Sequence, residues 1–190
     1  MLISEREATA IIEAYADLTR TPARRLLRTG IAGAPERDAS GRLGYDRAAV
    51  EAVARRTVVD ERSLEETFRF GLLVARLSPS QEWDVDAPVE EQRRHLGGPW
   101  DIPLLRHVGL TTYTRSSGGF YPLVATVSGY VVAGADIVEP CTDGRGRLVL
   151  AEPGAWFDEL RERRWFRGRG GAPLDWWQPA GRVTAASRVG

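Results

Sequence analysis

The first sixty residues are divided into short segments by clear signals for where helices begin and end. Ser4 and Glu7 have the spacing of a capping box, in which each side chain bonds the backbone N–H of the other residue. Apolar residues then recur at helical spacing, at Ala8, Ile11, Ile12 and Tyr15. This pattern predicts a short first helix that buries one face and ends near Asp17.

A second helix is predicted between Thr21 and about Thr29, with Gly30 ending it. Thr21 is the expected N-cap, and Pro22 the first helical residue, where the missing N–H of proline costs no hydrogen bond. The side chains expected to point inward are Leu26 and Leu27, and those expected to point outward are Arg24, Arg25 and Arg28. Guanidinium groups bind guanine or phosphate oxygens, so this helix is a candidate for a DNA major groove.

A β-hairpin and a third helix are predicted next. Residues 31–44 are rich in Gly, Ala, Pro, Asp and Ser, and Ser40-Gly41 is the expected hairpin tip, flanked by Arg37 and Arg42. Such a hairpin forms a wing that contacts the DNA backbone or minor groove. Asp46 is the expected cap of the third helix. Tyr45 and Val50 are spaced as a hydrophobic staple, and the expected buried stripe is Val50, Val53, Ala54 and Thr57.

These segments resemble the DNA-binding domain of the MerR and excisionase superfamily. The resemblance lies in residues 21–31, from Thr21 through the Gly-Ile pair, and in residues 41–53, which contain the Tyr-Asp step into the third helix. It implies a winged helix-turn-helix domain over residues 1–58, with the second helix as recognition helix. The DNA-binding residues that it implies are Arg20, Thr21, Arg24, Arg25, Arg28, Arg37 and Arg42. No sustained heptad follows residue 58, so a MerR-type dimerisation helix is not implied.

Charge is distributed unevenly along a chain whose formal net charge is zero. Residues 1–58 contain ten arginines and eight acidic residues, a net charge of +2. Residues 59–160 contain nine arginines and sixteen acidic residues, a net charge of −7, and residues 161–190 contain seven arginines and two acidic residues, a net charge of +5. The acidic middle argues against DNA binding there, whereas the two basic ends suit a phosphate backbone.

The use of residue types excludes several functions. All 26 basic residues are arginine, which excludes the lysine of a P-loop, Schiff-base catalysis and lysine-assisted nuclease sites. Lysine and asparagine are both absent, which indicates a GC-rich, bacterial genome. Cys141 is the single cysteine and the N-terminus has no signal-peptide pattern, so we expect a cytoplasmic location.

The rest of the chain is predicted to be α+β, with a small and mainly antiparallel sheet in a domain over residues 63–167. Ser63 and Glu66 suggest the start of a long buried helix that ends at Pro79. The uncharged run 116–135 predicts two buried strands joined near Ser128-Gly129, rather than a membrane span. Further elements are predicted as helices at 88–96, 101–108 and 153–165, a β-rich stretch at 113–138, a strand at 147–151, and a partly disordered tail at 168–190.

No catalytic constellation is evident, and we expect no cofactor or metal. The groups considered for a metal site or catalysis were His95, His107 and Cys141; Glu82, Asp84 and Asp86; Asp136 and Glu139; and Ser116 and Ser117. For each of these groups, an ordinary structural or surface role is the favoured interpretation.

Tryptophan is concentrated outside the N-terminal sixty residues. Ordinary core filling is one interpretation, and a ligand pocket or a protein interface is the other, for Trp83, Trp100, Trp156, Trp165, Trp176 and Trp177. The adjacent Trp176 and Trp177 cannot both face one side of a strand. Residues 161–169 carry five arginines interleaved with aromatic residues, which suits a phosphate backbone, single-strand stacking or an acidic partner, although a solvated face is the favoured interpretation.

The sequence therefore predicts a sequence-specific duplex-DNA-binding protein, a transcriptional regulator whose C-terminal domain dimerises or senses a ligand. Two alternatives remain open. One is an architectural or recombination accessory protein or an interaction module, and the other is a DNA-acting enzyme.

Overall fold

The computed structural model describes residues 1–116, 119–140, 146–165 and 172–179. Within these residues, six α-helices and two β-sheets form a mixed α+β fold. One sheet has three strands and belongs to the N-terminal part, and the other has five strands and belongs to the remainder. Cys141 and Ser117, which were considered for chemistry, lie outside the described residues.

The N-terminal part consists of three helices and a small antiparallel sheet. Its elements are β1 Leu2–Ile3, α1 Glu5–Ala16, α2 Arg20–Arg28, β2 Glu36–Arg37, β3 Leu43–Asp46 and α3 Arg47–Ala54. The strand order is β1-β3-β2, so the hairpin predicted from the sequence gains a third strand from the chain start. The short strand β1 gives no sequence signal of its own.

The capping signals of α1 and α3 are confirmed. The Glu7 backbone N–H donates to Ser4 Oγ at 3.3 Å, and the Ser4 N–H donates to Glu7 Oε2 at 2.9 Å. Asp46 caps α3 by accepting from the Ala49 N–H at 3.1 Å. Tyr15 and Thr57 were predicted to be buried, and both predictions are wrong. Tyr15 is 53% exposed, and Thr57 is exposed because α3 ends three residues before it.

Helix α2 begins earlier than its sequence signal suggested. Its N-cap is Thr19 rather than Thr21, and Pro22 is the third helical residue. Proline fits there because the first four N–H groups of a helix have no intrahelical acceptor. Leu26 and Leu27 are buried as predicted.

The second half is built on the five-stranded sheet. Its elements are α4 Glu61–Thr67, β4 Leu72–Arg76, α5 Val89–Leu96, α6 Leu104–Ser116, β5 Tyr121–Val127, β6 Tyr130–Pro140, β7 Leu148–Ala151, a 3₁₀ helix Ala155–Glu159 and β8 Leu174–Trp177. The strand order is β7-β6-β5-β4-β8, and β4 and β5 form its one parallel pair. The predicted turn at Ser128-Gly129 is confirmed between β5 and β6.

The long buried helix predicted from Ser63 to Pro79 is wrong. Helix α4 is only seven residues long and is capped by Asp60, and β4 follows it. Strand β4 is central and covered on both faces, so its apolar residues show no alternation, and periodicity alone cannot distinguish such a strand from a buried helix. Gly71, with a φ of +86°, separates the two elements.

Several other boundaries also differ from the prediction. Helix α6 begins at Leu104, three residues after the predicted start at 101. It continues through Tyr113, where the β-rich stretch was expected to begin. The segment 153–165 contains only the five-residue 3₁₀ helix. The predicted tail contains β8, which pairs with β4 across Leu73 and Trp176.

The sheet separates two sets of buried side chains. Leu73 and Ala75 of β4 belong to the set that continues through α1 and α2, where it includes Ile12 and Leu26. Leu72 and Val74 face the opposite side, with the side chains of α4 and the 3₁₀ helix. The N-terminal helices therefore share one apolar core with the larger sheet. Among the described residues, no helix combines the length and apolar character needed to cross a bilayer.

We expect Gly71→Ala to destabilise the protein more than a matched glycine substitution. A Cβ at Gly71 would lie 2.3 Å from the Trp177 carbonyl oxygen, whereas one at Gly33, with a similar φ of +81°, meets nothing within 4 Å. Both substitutions carry the left-handed backbone penalty of about 1–3 kcal/mol. The steric overlap adds about 1–3 kcal/mol for Gly71→Ala alone. Urea unfolding measures the difference, and equal losses would contradict the close approach.

The stability of the protein should fall in acid, partly through Asp46. The Ala49 N–H bond, and then the N-terminal ammonium, hold the pKa of Asp46 below its usual value. A lowered folded-state pKa gives stability that is present above about pH 4 and is lost as the pH falls through the folded value. The unfolding free-energy difference between wild type and Asp46→Asn should therefore shrink as urea titrations move from pH 7 to pH 2. A constant difference would count against this assignment.

Candidate nucleic-acid interface and the adjoining cleft

Helix α2, the predicted recognition helix, is bonded to the second half of the protein along its length. Ser128 Oγ donates to the Pro22 carbonyl at 3.0 Å near the start of the helix. At its end, the Val85 N–H donates to the Thr29 carbonyl at 2.8 Å. Residues 84–86 also pack against Gly30, so the position of α2 is set by the sheet and by the segment that follows β4.

Arg25 supplies the central contact between α2 and the second half. Its Nη2 donates to the Leu77 carbonyl at 2.6 Å and also to the Ser78 carbonyl. The side chain is half-buried, and this burial lowers the pKa of its guanidinium. Arg25 was predicted to face DNA, but in this structure its Nη2 is bonded to two carbonyl groups of the protein itself.

Three arginines remain along the outer side of α2. Arg20, Arg24 and Arg28 are spaced four residues apart and share one side of the helix, and we call them the arginine row. Arg20 and Arg28 are exposed. Arg24 forms an ion pair with Glu5 at 2.7 Å, in which both side chains are 42% exposed. Exposed ion pairs contribute little stability, so Arg24 can exchange this partner for another anion.

The hairpin arginines are exposed but lie in a constrained turn. Arg37 Nη1 donates to the Gly41 carbonyl at 2.7 Å. Asp38 accepts from the Ser40 and Arg42 backbone N–H groups at 2.8 and 2.9 Å. Bonds from Ser40 and Arg42 lower the pKa of Asp38, which keeps a carboxylate beside the two arginines. No hydrogen bond or ion pair in the described part of the chain joins Arg37 or Arg42 to α2.

A cleft of about 750 Å³ lies between α2 and the segment 79–95. The α2 side contributes Thr21, Arg24, Arg25, Arg28 and Thr29, and the opposite side contributes Gln81, Glu82, Trp83, Asp84, Glu91, Gln92 and His95. Three arginines therefore face three carboxylates, which we call the acidic wall: Glu82, Asp84 and Glu91. Within the described ranges no ion pair connects the two sides.

The floor of the cleft is aromatic. The Trp83 ring meets the His95 ring at a centroid distance of 6.1 Å in an edge-on arrangement. Trp83 is 7% exposed, and its buried Nε1 finds no acceptor among the described residues. The sequence had singled out Trp83, His95 and the acids separately. It did not indicate that they face the arginine helix, although the opposite charges of the two segments were a signal in that direction.

The remaining tryptophans do not form a common pocket. Trp100 and Trp165 are buried, and Trp156 donates to Asp136 Oδ1 at 2.8 Å. Trp176 is half-buried beneath the Arg106 guanidinium, whereas Trp177 is buried on the other face of β8. The prediction that these adjacent tryptophans face different ways is confirmed. Of the six, Trp83 is the one that lines the cleft.

Of the acidic residues considered for chemistry, Asp136 and Glu139 form structural contacts. Asp136 accepts from Trp156 and from the Gly154 N–H, and its burial raises its pKa. Glu139 pairs with Arg115 at 3.8 Å and not with Asp136. Across the described residues, no group of three or more histidine, cysteine or acidic residues is placed to hold a metal ion.

We expect Arg25→Gln to lower the free energy of unfolding by about 1.5–3 kcal/mol, the usual contribution of hydrogen bonds to a charged group. The substitution removes both bonds to residues 77 and 78. Arg20→Gln is the matched control, since this arginine is exposed, and it should change stability by less than about 0.5 kcal/mol. Equal effects in urea unfolding would show that Arg25 does not fix α2.

Comparisons with protein-family models, curated proteins and solved structures found no match to this chain. The resemblance to MerR and excisionase domains therefore stays a hypothesis that rests on the residues themselves.

Proposed function

We propose that the protein binds double-stranded DNA through α2 and the β2–β3 hairpin, as a sequence-specific regulator of transcription. The observation that carries this proposal is the arginine row. Arg20, Arg24 and Arg28 lie along the outer side of α2, while Ala23, Leu26 and Leu27 anchor its inner side in the core.

The dimensions of the row suit a duplex. Arg20 and Arg28 are eight residues apart, about 12 Å along the helix, and a helix with its side chains is about 10–12 Å across, which fits a B-DNA major groove about 12 Å wide. Arginine binds both the guanine edge and phosphate oxygens in a bidentate manner. The exposed Arg42 at the hairpin offers a further phosphate contact to one side of the helix.

The cleft restricts how DNA approaches α2. The acidic wall repels phosphates, so a duplex is kept out of the cleft itself, which Arg24 and Arg28 line together with Thr21 and Arg25. The remaining approach is along Arg20 and the exposed rim formed by Arg28. The proposal therefore excludes Arg25 from base recognition, whereas the sequence predicted that Arg25 contacts DNA.

A duplex-binding titration tests this proposal. Labelled random-sequence duplex and duplexes from a selection experiment are titrated with the full chain by fluorescence anisotropy at several salt concentrations. Arg28→Ala should weaken binding to a selected site by about 1–3 kcal/mol if the side chain reaches a base. Arg42→Ala should weaken binding equally for all sequences and reduce the salt slope by about one.

The control is Arg62→Ala, because Arg62 is 86% exposed on α4 and lies outside the proposed interface. It should bind as wild type does. A selected consensus site supports a regulator, and binding governed by duplex shape alone supports the architectural alternative. Absence of duplex binding at low salt, or an equal loss in Arg28→Ala and Arg62→Ala, refutes the DNA proposal.

A further inference from the structure

The cleft beside α2 has the features of a ligand site. Its volume of about 750 Å³ falls within the range of small-molecule pockets. It combines an aromatic floor, Trp83 and His95, with charged groups on two sides. The cleft shares Arg24 and Arg28 with the arginine row, whereas Trp83, His95 and the acidic wall take no part in the DNA contact proposed above.

The charges of the cleft are separated and unpaired across it. Arg28 has no hydrogen bond or ion pair within the described part of the chain, and the same holds for Glu82 and Glu91. Arg24 is bonded to Glu5, and Arg25 is bonded to the Leu77 carbonyl. Opposite charges that face a common space without touching favour an occupant that binds both.

The balance of charge selects the class of ligand. Three arginines and three carboxylates line the cleft, so the formal charge is zero if His95 is neutral. The carboxylates of the acidic wall repel a phosphate or another multiply charged anion, and the arginines repel a polycation. A zwitterion places its carboxylate at Arg28 and its ammonium at Glu91 or Glu82, with charge-assisted hydrogen bonds at both ends.

The floor of the cleft selects the body of the ligand. The exposed His95 ring and the small exposed part of Trp83 supply aromatic surface to the cleft. An aromatic or apolar body fits this surface.

We infer that the cleft binds a small zwitterion with an apolar or aromatic body, of which free amino acids and dipeptides are the simplest examples. The carboxylate binds on the α2 side at Arg28, and the ammonium binds on the acidic wall at Glu91. This site shares Arg28 with the DNA proposal, but its occupancy is measured on the protein without DNA, so each proposal can fail without the other.

The test begins with the twenty protein amino acids and pools of dipeptides, screened against the full chain by saturation-transfer NMR. Each binder is then titrated calorimetrically together with its amide, which lacks the carboxylate, and its N-acetyl derivative, which lacks the ammonium. Each derivative should bind at least about tenfold more weakly than the parent zwitterion, because one charge-assisted contact is lost.

Four variants assign the binding to the cleft. Arg28→Gln and Glu91→Gln should each weaken binding about tenfold. The matched controls Arg62→Gln and Glu66→Gln alter an exposed ion pair on α4, 3.5 Å in length, and should leave the affinity unchanged. The inference is overturned if the panel contains no binder, if a singly charged derivative binds as tightly as the zwitterion, or if the control variants lose as much affinity as the cleft variants.

Discussion

The attachment of α2 to the second half of the protein determines most of what the rest of the molecule can do. The helix has its inner side in a core that is continuous with the five-stranded sheet, and its backbone accepts hydrogen bonds from Ser128 and Val85. Arg25 adds two bonds in the opposite direction, from side chain to backbone. A helix–hairpin–helix unit on a flexible linker would turn freely, whereas here one side of α2 is turned towards the protein and the other towards solvent.

This arrangement divides the arginines of α2 between two environments. Arg25 lies where water is partly excluded, and it is satisfied by carbonyl groups. Arg20 lies in solvent and Arg28 at the rim, where Arg28 borders both the outer surface and the cleft. The carboxylates of the acidic wall lie across the cleft and, among the described residues, form no ion pair with Arg20 or Arg28. One nine-residue helix therefore presents a cationic outer surface and also closes one side of a polar cavity.

The sequence predicted elements whose determinants are local. The caps at Ser4 and Asp46 and the turn at Ser128-Gly129 depend on residues within three positions of each other, and they formed as expected. Strand β4 was mistaken for a helix because its two faces are buried by separate elements, α1 and α2 on one side and α4 with the 3₁₀ helix on the other, which come together only in the folded protein. The candidate site shows the same difference between local and long-range determinants. The arginines could be placed on α2, but the carbonyl acceptors of Arg25 and the acids across the cleft come from a segment whose position is set by tertiary packing.

The late position of strand β8 in the chain determines when the large sheet can be completed during synthesis. It pairs with β4 along Leu72–Ala75, although about a hundred residues of chain separate the two strands. At ordinary translation rates the ribosome takes roughly 5–20 s to make that intervening stretch. Throughout that interval one backbone edge of β4 has no partner, and an unpaired apolar edge is a template for association with other chains. The main sheet of the nascent protein is therefore completed only when its last strand, β8, has been made.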